Sequence, residues 1–169
     1  VSTDRFFGTH VDPRTAVALP VDADTVSRLR ARGVDRVIVD RNAVTEGRGP
    51  LTTTTPFGLE PTTSLTPGPV AAVANDTPLA ATLAGTAAPA LRAQRFLAGL
   101  ALTALEAPAT TRAVVVVSPD GFDAAPAVLD AVLAGLTNHP WLAPTTVSGV
   151  FGAVPPAIGD VRSVQPSPA

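Results

Sequence analysis

One run of five residues constrains the fold of this sequence more than any other feature: residues 113–117 read Ala-Val-Val-Val-Val. β-branched residues in such a run favour a strand with both faces buried, as in a parallel sheet. The next residues, 118–121, read Ser-Pro-Asp-Gly and predict a turn, and apolar spacing predicts a helix over 124–137. A strand followed by a helix is the repeating unit of α/β proteins, so the run predicts that class.

Similar strand and helix signals alternate along the preceding chain. The predicted strands cover residues 15–19, 36–40 and 70–74, and the predicted helices cover residues 25–32, 77–84 and 89–106. This order implies right-handed parallel crossovers. We therefore expect an α/β fold with a mainly parallel sheet and helices packed on it, either as an open sheet or as a fragment of a (β/α) barrel-like domain.

Helical periodicity also predicts which side chains are buried. In the helix over 89–106, the apolar stripe is expected to contain Leu91, Leu97, Leu100, Ala101, Ala104 and Leu105, and the residues expected to reach water are Arg92, Arg95 and Glu106. In the following helix, one apolar face is expected to contain Val128, Leu129, Val132, Leu133 and Leu136.

Two segments carry weaker signals. Residues 41–69 are rich in glycine and proline and predict a long loop with one short strand near 51–55. A loop of this length within a compact domain is typically functional or mobile. Residues 145–151 predict a short element that begins either as a strand or as a helical turn.

Length and composition predict one domain with loose ends. The chain has 169 residues, of which 46% are hydrophobic and 15% are charged, which is enough for a buried core. We expect an N-terminal arm over 1–14, a single α/β domain over 15–153 and a Pro/Ser-rich linker or tail over 154–169. The chain is interpreted as a piece of a longer protein.

The sequence lacks the signals of several functional classes. The net charge is −2 and the chain has no lysine, so nucleic acid is not an expected partner, and no apolar run of about 18 residues predicts insertion of this segment into a membrane. Cysteine is absent, and His10 and His139 lie in no metal-binding pattern, so no metal is expected. No phosphate-binding loop and no G-x-S-x-G elbow occurs, so neither a cofactor nor a serine nucleophile is predicted.

Polar residues follow three of the predicted strands. Asp40 and Arg41 follow the second strand, Asn75 and Asp76 follow the third, and Asp120 follows the fourth. Because the carboxyl ends of parallel strands meet at one edge, these residues can converge on a crevice. The three aspartates are then candidate catalytic residues, acting as general acid and base on a glycoside or holding a cation, and Arg41 and Asn75 are candidate ligand-binding residues.

An alternative hypothesis gives these aspartates structural roles. Asp76 and Asp120 then cap helices or turns, and Asp40 pairs with a neighbouring arginine. Trp141, the only tryptophan in the chain, also has two interpretations. It is a candidate ligand-binding residue that stacks on a sugar or a partner, or it closes the core.

Four motifs carry a family resemblance. They read Gln-Arg-Phe-Leu-Ala at 94–98, Glu-Ala-Pro at 106–108, Ser-Pro-Asp-Gly-Phe at 118–122 and Pro-Trp-Leu-Ala-Pro at 140–144. Through them the chain resembles, over about residues 16–150, the extracytoplasmic region of a large actinobacterial membrane-protein family of unknown function.

This resemblance implies a location and a role. Members of that family have a signal peptide, a long exported region and a C-terminal membrane anchor, and their genes lie beside one for a lipid II flippase-like protein. The implied role is in the cell envelope, with an envelope protein or cell-wall polysaccharide as partner. The exported region is also similar to polysaccharide deacetylase and glycoside hydrolase barrels, but the deacetylase pattern of paired aspartates with H-x-x-x-H is missing here, so no catalytic residue is carried over.

Three functional hypotheses follow. The leading one is a non-catalytic, extracytoplasmic scaffold or binding domain of a cell-envelope protein. The second is a carbohydrate-active hydrolase or deacetylase-like enzyme that uses Asp40, Asp76 or Asp120. The third is a small-ligand binding domain whose crevice lies under the loop over 41–69.

Overall fold

The computed structural model describes residues 12–18, 21–45, 52–60, 68–118, 126–137, 139–156 and 159–164. Within them the strands are β1 (Thr15–Ala18), β2 (Arg36–Asp40), β3 (Phe57–Glu60), β4 (Val70–Asn75) and β5 (Val161–Ser163). The helices are α1 (Ala23–Ala31), α2 (Thr77–Leu83), α3 (Pro89–Glu106), α4 (Pro126–Leu136) and α5 (Val147–Ala153), and a short 3₁₀ helix covers Arg41–Ala43.

The described strands form one five-stranded sheet in the order β1-β2-β4-β3-β5. β1, β2 and β4 are parallel neighbours, β3 runs antiparallel to β4, and β5 runs parallel to β3. The predicted α/β class with a mainly parallel sheet is therefore confirmed.

The centre of the sheet is buried on both faces, as the β-branched runs predict. Val37 and Val39 of β2 belong to a core cluster that includes Val26 of α1. Ile38, between them, points the opposite way and packs with Val150 of α5. α1 and α5 thus cover opposite faces of β2, because alternate side chains of a strand point to opposite sides.

A second core cluster lies among α2, α3 and α4. It contains Leu79 of α2, Phe96 and Leu100 of α3, and Val128 and Val132 of α4. The partly buried side chains of residues 114 and 116 pack against it. The run over 113–117 therefore lies between this helical cluster and the α5 side of the sheet, where Val115 is buried.

The strand predicted over 113–117 is wrong in its extent, because only Val115 makes a ladder pair, with Asn75. Asn75 pairs with Asp40 on one edge of β4, which leaves the other edge for Val115. β3 occupies the same edge of β4 nearer its amino end, where Phe57 pairs with Ala72. β4 therefore shares one edge between β3 and the valine run.

The buried face predicted for α3 is confirmed at Leu97 and Leu100, which pack in the helical cluster, but it is wrong at other positions. Arg92 faces inward and is buried, whereas Leu91 and Leu105 are exposed. Arg92 donates a hydrogen bond to the carbonyl oxygen of Leu83 at the end of α2. This bond satisfies one of the carbonyl groups that a helix C-terminus leaves unpaired, which explains why an arginine occupies the inner face.

Other boundaries are confirmed or corrected. Asp22 caps α1 by accepting a bond from the Thr25 amide at 2.6 Å. The short strand expected near 51–55 lies instead at Phe57–Glu60. The segment over 145–151 contains a helix, α5, capped by the Thr146 hydroxyl. β5 lies beyond the expected domain end at residue 153, so the sheet continues into the segment expected to be a linker.

Candidate functional site

The carboxyl edge of the sheet brings three of the predicted site residues together. Asp40 ends β2 and pairs with Asn75 at the end of β4, and Asp76 follows directly. Arg41 begins the short 3₁₀ helix next to them and is exposed. Asp120, the third predicted carboxylate, lies outside the described residues. The predicted convergence at one edge is therefore observed for the two strand ends that the structure describes.

Both described carboxylates cap helices. Asp76 is the N-cap of α2, where Oδ1 accepts a bond from the Leu79 amide at 2.9 Å. Its Oδ2 accepts a bond from the Thr53 hydroxyl at 3.0 Å. The Asp76 side chain thus joins the start of α2 to the loop that precedes β3. Asp40 caps the 3₁₀ helix by accepting a bond from the Asn42 amide at 2.7 Å.

Asn75 has a structural contact as well. Its side chain is buried, and Oδ1 accepts a bond from the Val117 amide at 2.8 Å. The adjacent Asp76 amide donates to the Val115 carbonyl at 3.0 Å. The Asn75 side chain thus extends the single ladder pair by one residue and holds the valine run against β4.

An open groove of about 250 Å³ lies between α2 and α3. Asp76 and Thr82 line it from α2, and Arg95 and Thr103 line it from α3. Gly99 forms part of its wall, and a Cβ there would lie 2.6 Å from Cδ1 of Leu79. The groove presents a carboxylate, a guanidinium and two hydroxyls to solvent. Sequence reasoning missed it, although residues 95, 99 and 103 recur at the spacing of one helical face.

Trp141 does not close the core, since 44% of it is exposed. Its ring centroid lies 5.1 Å from that of His139, and the two planes are tilted by 39°. The following residue, Leu142, packs against the cluster formed by α2, α3 and α4. The Leu142 amide also donates to the His139 carbonyl at 3.3 Å, which closes a turn beneath the two rings.

Two rows of exposed leucines were not predicted from the sequence. On α3, Leu102 is 64% exposed and Leu105 is 72% exposed, and on α4 Leu133 is 62% exposed beside Leu129. Both helices bury their opposite faces in the same core cluster, so the two rows face away from it. Leu129 and Leu133 are therefore not on the buried face where periodicity placed them. We call these four residues the leucine surface.

A polar cluster lies at the amino end of β2, away from the predicted site. Asp12 Oδ2 accepts a bond from the Ser148 hydroxyl at 2.7 Å and forms an ion pair with Arg36 at 3.0 Å. The Ser148 bond, followed by the Arg14 amide and the nearby arginine charges, holds the pKa of Asp12 below its ordinary value. This cluster attaches α5 to the start of the sheet.

The described residues contain neither a metal-binding cluster nor a membrane-spanning helix. In the described ranges, no three histidine or acidic side chains lie close enough together to hold a metal ion. None of the helices that the structure describes is both long and apolar enough to span a membrane.

Comparison with known proteins identifies a family. No curated protein matches the chain. The model of a family of unknown function, DUF6049, matches residues 2–162. This match agrees with the expected membership in a family of unknown function, whereas the deacetylase likeness, the actinobacterial origin and the export remain predictions. Since the match spans nearly the whole sequence, the chain belongs to the DUF6049 family.

Proposed function

We propose that this chain is a non-catalytic scaffold or binding domain of an exported, membrane-anchored cell-envelope protein. The leucine surface is the observation that carries this proposal. Its proposed occupant is an envelope protein, and the resemblance to a family encoded beside a lipid II flippase-like protein makes that protein the first partner to test.

The energetics of the leucine surface support a protein partner. A fully buried leucine contributes about 1.5–3 kcal/mol relative to an exposed one, so each of these partly exposed side chains has roughly 1 kcal/mol left to gain. Four of them therefore offer a gross gain on the order of 4 kcal/mol, from which the cost of association is subtracted. Leu102 and Leu105 lie one turn apart on α3, and Leu129 and Leu133 lie one turn apart on α4, so each helix presents an apolar row of the kind that marks interaction surfaces.

The binding test compares two variants that each place charge at exposed apolar positions. The double variant Leu102→Glu/Leu133→Glu places charges on the leucine surface, and Val17→Glu places one on β1, where valine is 54% exposed. Binding to the flippase-like protein is measured by biolayer interferometry. We expect wild type and Val17→Glu to bind equally and the double variant to bind at least tenfold more weakly. Equal binding by all three, or no binding by wild type, would contradict the proposal.

The engagement of Asp40 and Asp76 as helix caps supports the non-catalytic part of the proposal. Hydrolysis and deacetylation of peptidoglycan fragments and envelope polysaccharides are measured for wild type and Asp76→Asn, a substitution that keeps a good N-cap residue. We expect both proteins to match the enzyme-free background. Turnover by wild type that Asp76→Asn abolishes would establish the alternative, a carbohydrate-active enzyme.

A further inference from the structure

The turn that carries Trp141 is held in place at several points. Leu142 is anchored in the helical cluster and its amide bonds to His139. Pro140 and Pro144 flank the pair Trp141-Leu142, and each proline ring fixes its own φ. The turn therefore presents an exposed tryptophan with little conformational entropy left to lose, which favours binding.

The surface around this tryptophan contains a second ring. The imidazole of His139 is exposed beside the indole and tilted towards it, so the two rings form an angled pair. The neighbouring Thr146 hydroxyl is not part of this surface, because it accepts the Gly149 amide at 3.1 Å as the cap of α5.

Charge is missing from this part of the chain. From Thr137 to Val147 the sequence contains no aspartate, glutamate, lysine or arginine. A charged polymer such as a polyphosphate, a nucleic acid or a sulfated glycan has no counter-charge to meet here, because such ligands bind through arginine and lysine. The chemistry of the turn therefore fits an uncharged ligand.

We propose that the turn over residues 139–145 is a binding site for a neutral saccharide. The C–H face of a sugar ring stacks on the indole of Trp141, and the imidazole of His139 contacts the ring edge. This site is separate from the leucine surface and does not depend on the proposed protein partner.

The expected affinity is low for one sugar and higher for a polymer. A site built from one stacking face and one ring edge buries little surface, so we expect a single sugar to bind with a Kd on the order of millimolar. A polysaccharide offers many copies of the ligand, and several domains held on one surface bind it through avidity.

Intrinsic fluorescence tests the proposal directly, because Trp141 is the only tryptophan and the chain has no tyrosine. Wild-type protein is titrated with N-acetylglucosamine hexamer and with a neutral glucan hexamer, and a heparin oligosaccharide serves as the charged comparison. We expect a saturable change in emission with at least one neutral oligosaccharide and none with heparin. No change with either neutral oligosaccharide, or an equal change with heparin, would overturn the proposal.

A variant series assigns the effect to the stacking face. Amide shifts of Leu142 and Thr145 are followed by NMR for Trp141→Ala, Trp141→Phe and the matched control Leu91→Ala, which alters an apolar residue of α3 that is 42% exposed. We expect Trp141→Ala to weaken binding at least fivefold, Trp141→Phe to retain part of it and Leu91→Ala to bind like wild type. Unchanged binding by Trp141→Ala would contradict the site, and the Leu102→Glu/Leu133→Glu variant separates this result from the partner test.

Discussion

Single side chains at the carboxyl edge each hold more than one segment in place. Asp76 accepts bonds from the Leu79 amide and the Thr53 hydroxyl, and Asn75 accepts a bond from Val117. Capping residues of this kind satisfy backbone groups that a helix start leaves unpaired. The side-chain oxygens of Asp76 and Asn75 therefore fix three segments in place. These are the loop at Thr53, the start of α2 and the valine run at Val117.

Asp12 gives a prediction about pH. Because its folded pKa is lowered, chiefly by the Ser148 hydroxyl, its ionised form stabilises the fold above the ordinary aspartate value of 3.8. This contribution is lost as the pH falls through the lowered folded pKa. In Ser148→Ala we expect the Asp12 pKa to rise towards 3.8 and the acid-induced loss of stability to shrink.

The measurement for this prediction is an NMR titration of the Asp12 carboxyl carbon, combined with urea unfolding at neutral and acidic pH. The pKa of Asp22, which Thr25 lowers through its hydroxyl and its amide, serves as the internal control because it belongs to α1. An unchanged Asp12 pKa in Ser148→Ala, or an equal rise at Asp22, would refute the assignment to Ser148.

At the scale of elements, α3 and α4 approach closely at a glycine. A Cβ at Gly135 would clash with Cδ1 of Leu97 and lie 3.1 and 3.2 Å from its Cδ2 and Cγ. At Gly99 only the terminal Cδ1 of Leu79 would be affected, at 2.6 Å, and a flexible terminus can move aside. The two glycines therefore differ in how much neighbouring structure an added methyl would displace.

We predict that alanine lowers stability more at Gly135 than at Gly99. Gly135→Ala should lower the free energy of unfolding by about 1–3 kcal/mol through overpacking. Gly99→Ala should cost less, because the helix propensity gained, about 1 kcal/mol, offsets the shift of Leu79. Urea unfolding measures both, and a double-mutant cycle with Leu97→Ala should relieve the Gly135→Ala penalty. Equal losses at the two glycines would contradict this account.

The sequence predicted the position of most elements better than their orientation. The bounds of α3 and the strand β2 follow from local signals, namely Pro89 at a helix start and the run from Val37 to Val39. The inward turn of Arg92 depends on a carbonyl of α2, which is a tertiary contact that no helical period encodes. For the same reason the exposed leucine rows could not be read from spacing alone.

At the scale of the whole molecule, β5 completes the sheet through a small set of buried contacts. Val164 belongs to the main core cluster. Arg162 is buried over the ring of Phe57 at 5.5 Å and pairs with Asp160 at 3.0 Å. Sequence reasoning missed this strand because three residues next to a proline-rich segment show no period, and because its partner β3 is distant in the chain.

We predict that Val161, at the start of β5, and Val164, directly after it, differ in their contribution to stability. Val164→Ala removes two buried methyl groups and should lower the free energy of unfolding by about 2 kcal/mol. The matched control Val161→Ala alters a side chain that is 41% exposed and should cost about 0.5 kcal/mol or less. Chemical denaturation measures both, and a larger loss for Val161→Ala would contradict the role of β5 in the core.

The site could be predicted in part. Convergence of Asp40, Asn75 and Asp76 follows from parallel strand order, and the capping role of Asp76 follows from the Asn-Asp-Thr-Pro signal. The groove beside Arg95 and the exposure of Trp141 depend on how α2, α3 and α4 pack together. Strand order and capping signals are present in the local sequence. The groove and the exposure of Trp141 depend on tertiary packing, which the local sequence does not encode.

The pairing of β3 with β5 sets the order in which the nascent chain can fold. Gly58 pairs with Val161, so β3 leaves the ribosome about a hundred residues before its parallel neighbour. Until then one edge of β3 has unpaired backbone groups, which can pair with another chain. The sheet is thus completed only after residues 161–163 have been synthesised, and a chaperone that shields Phe57–Glu60 during this interval would protect an exposed strand edge from pairing with another chain.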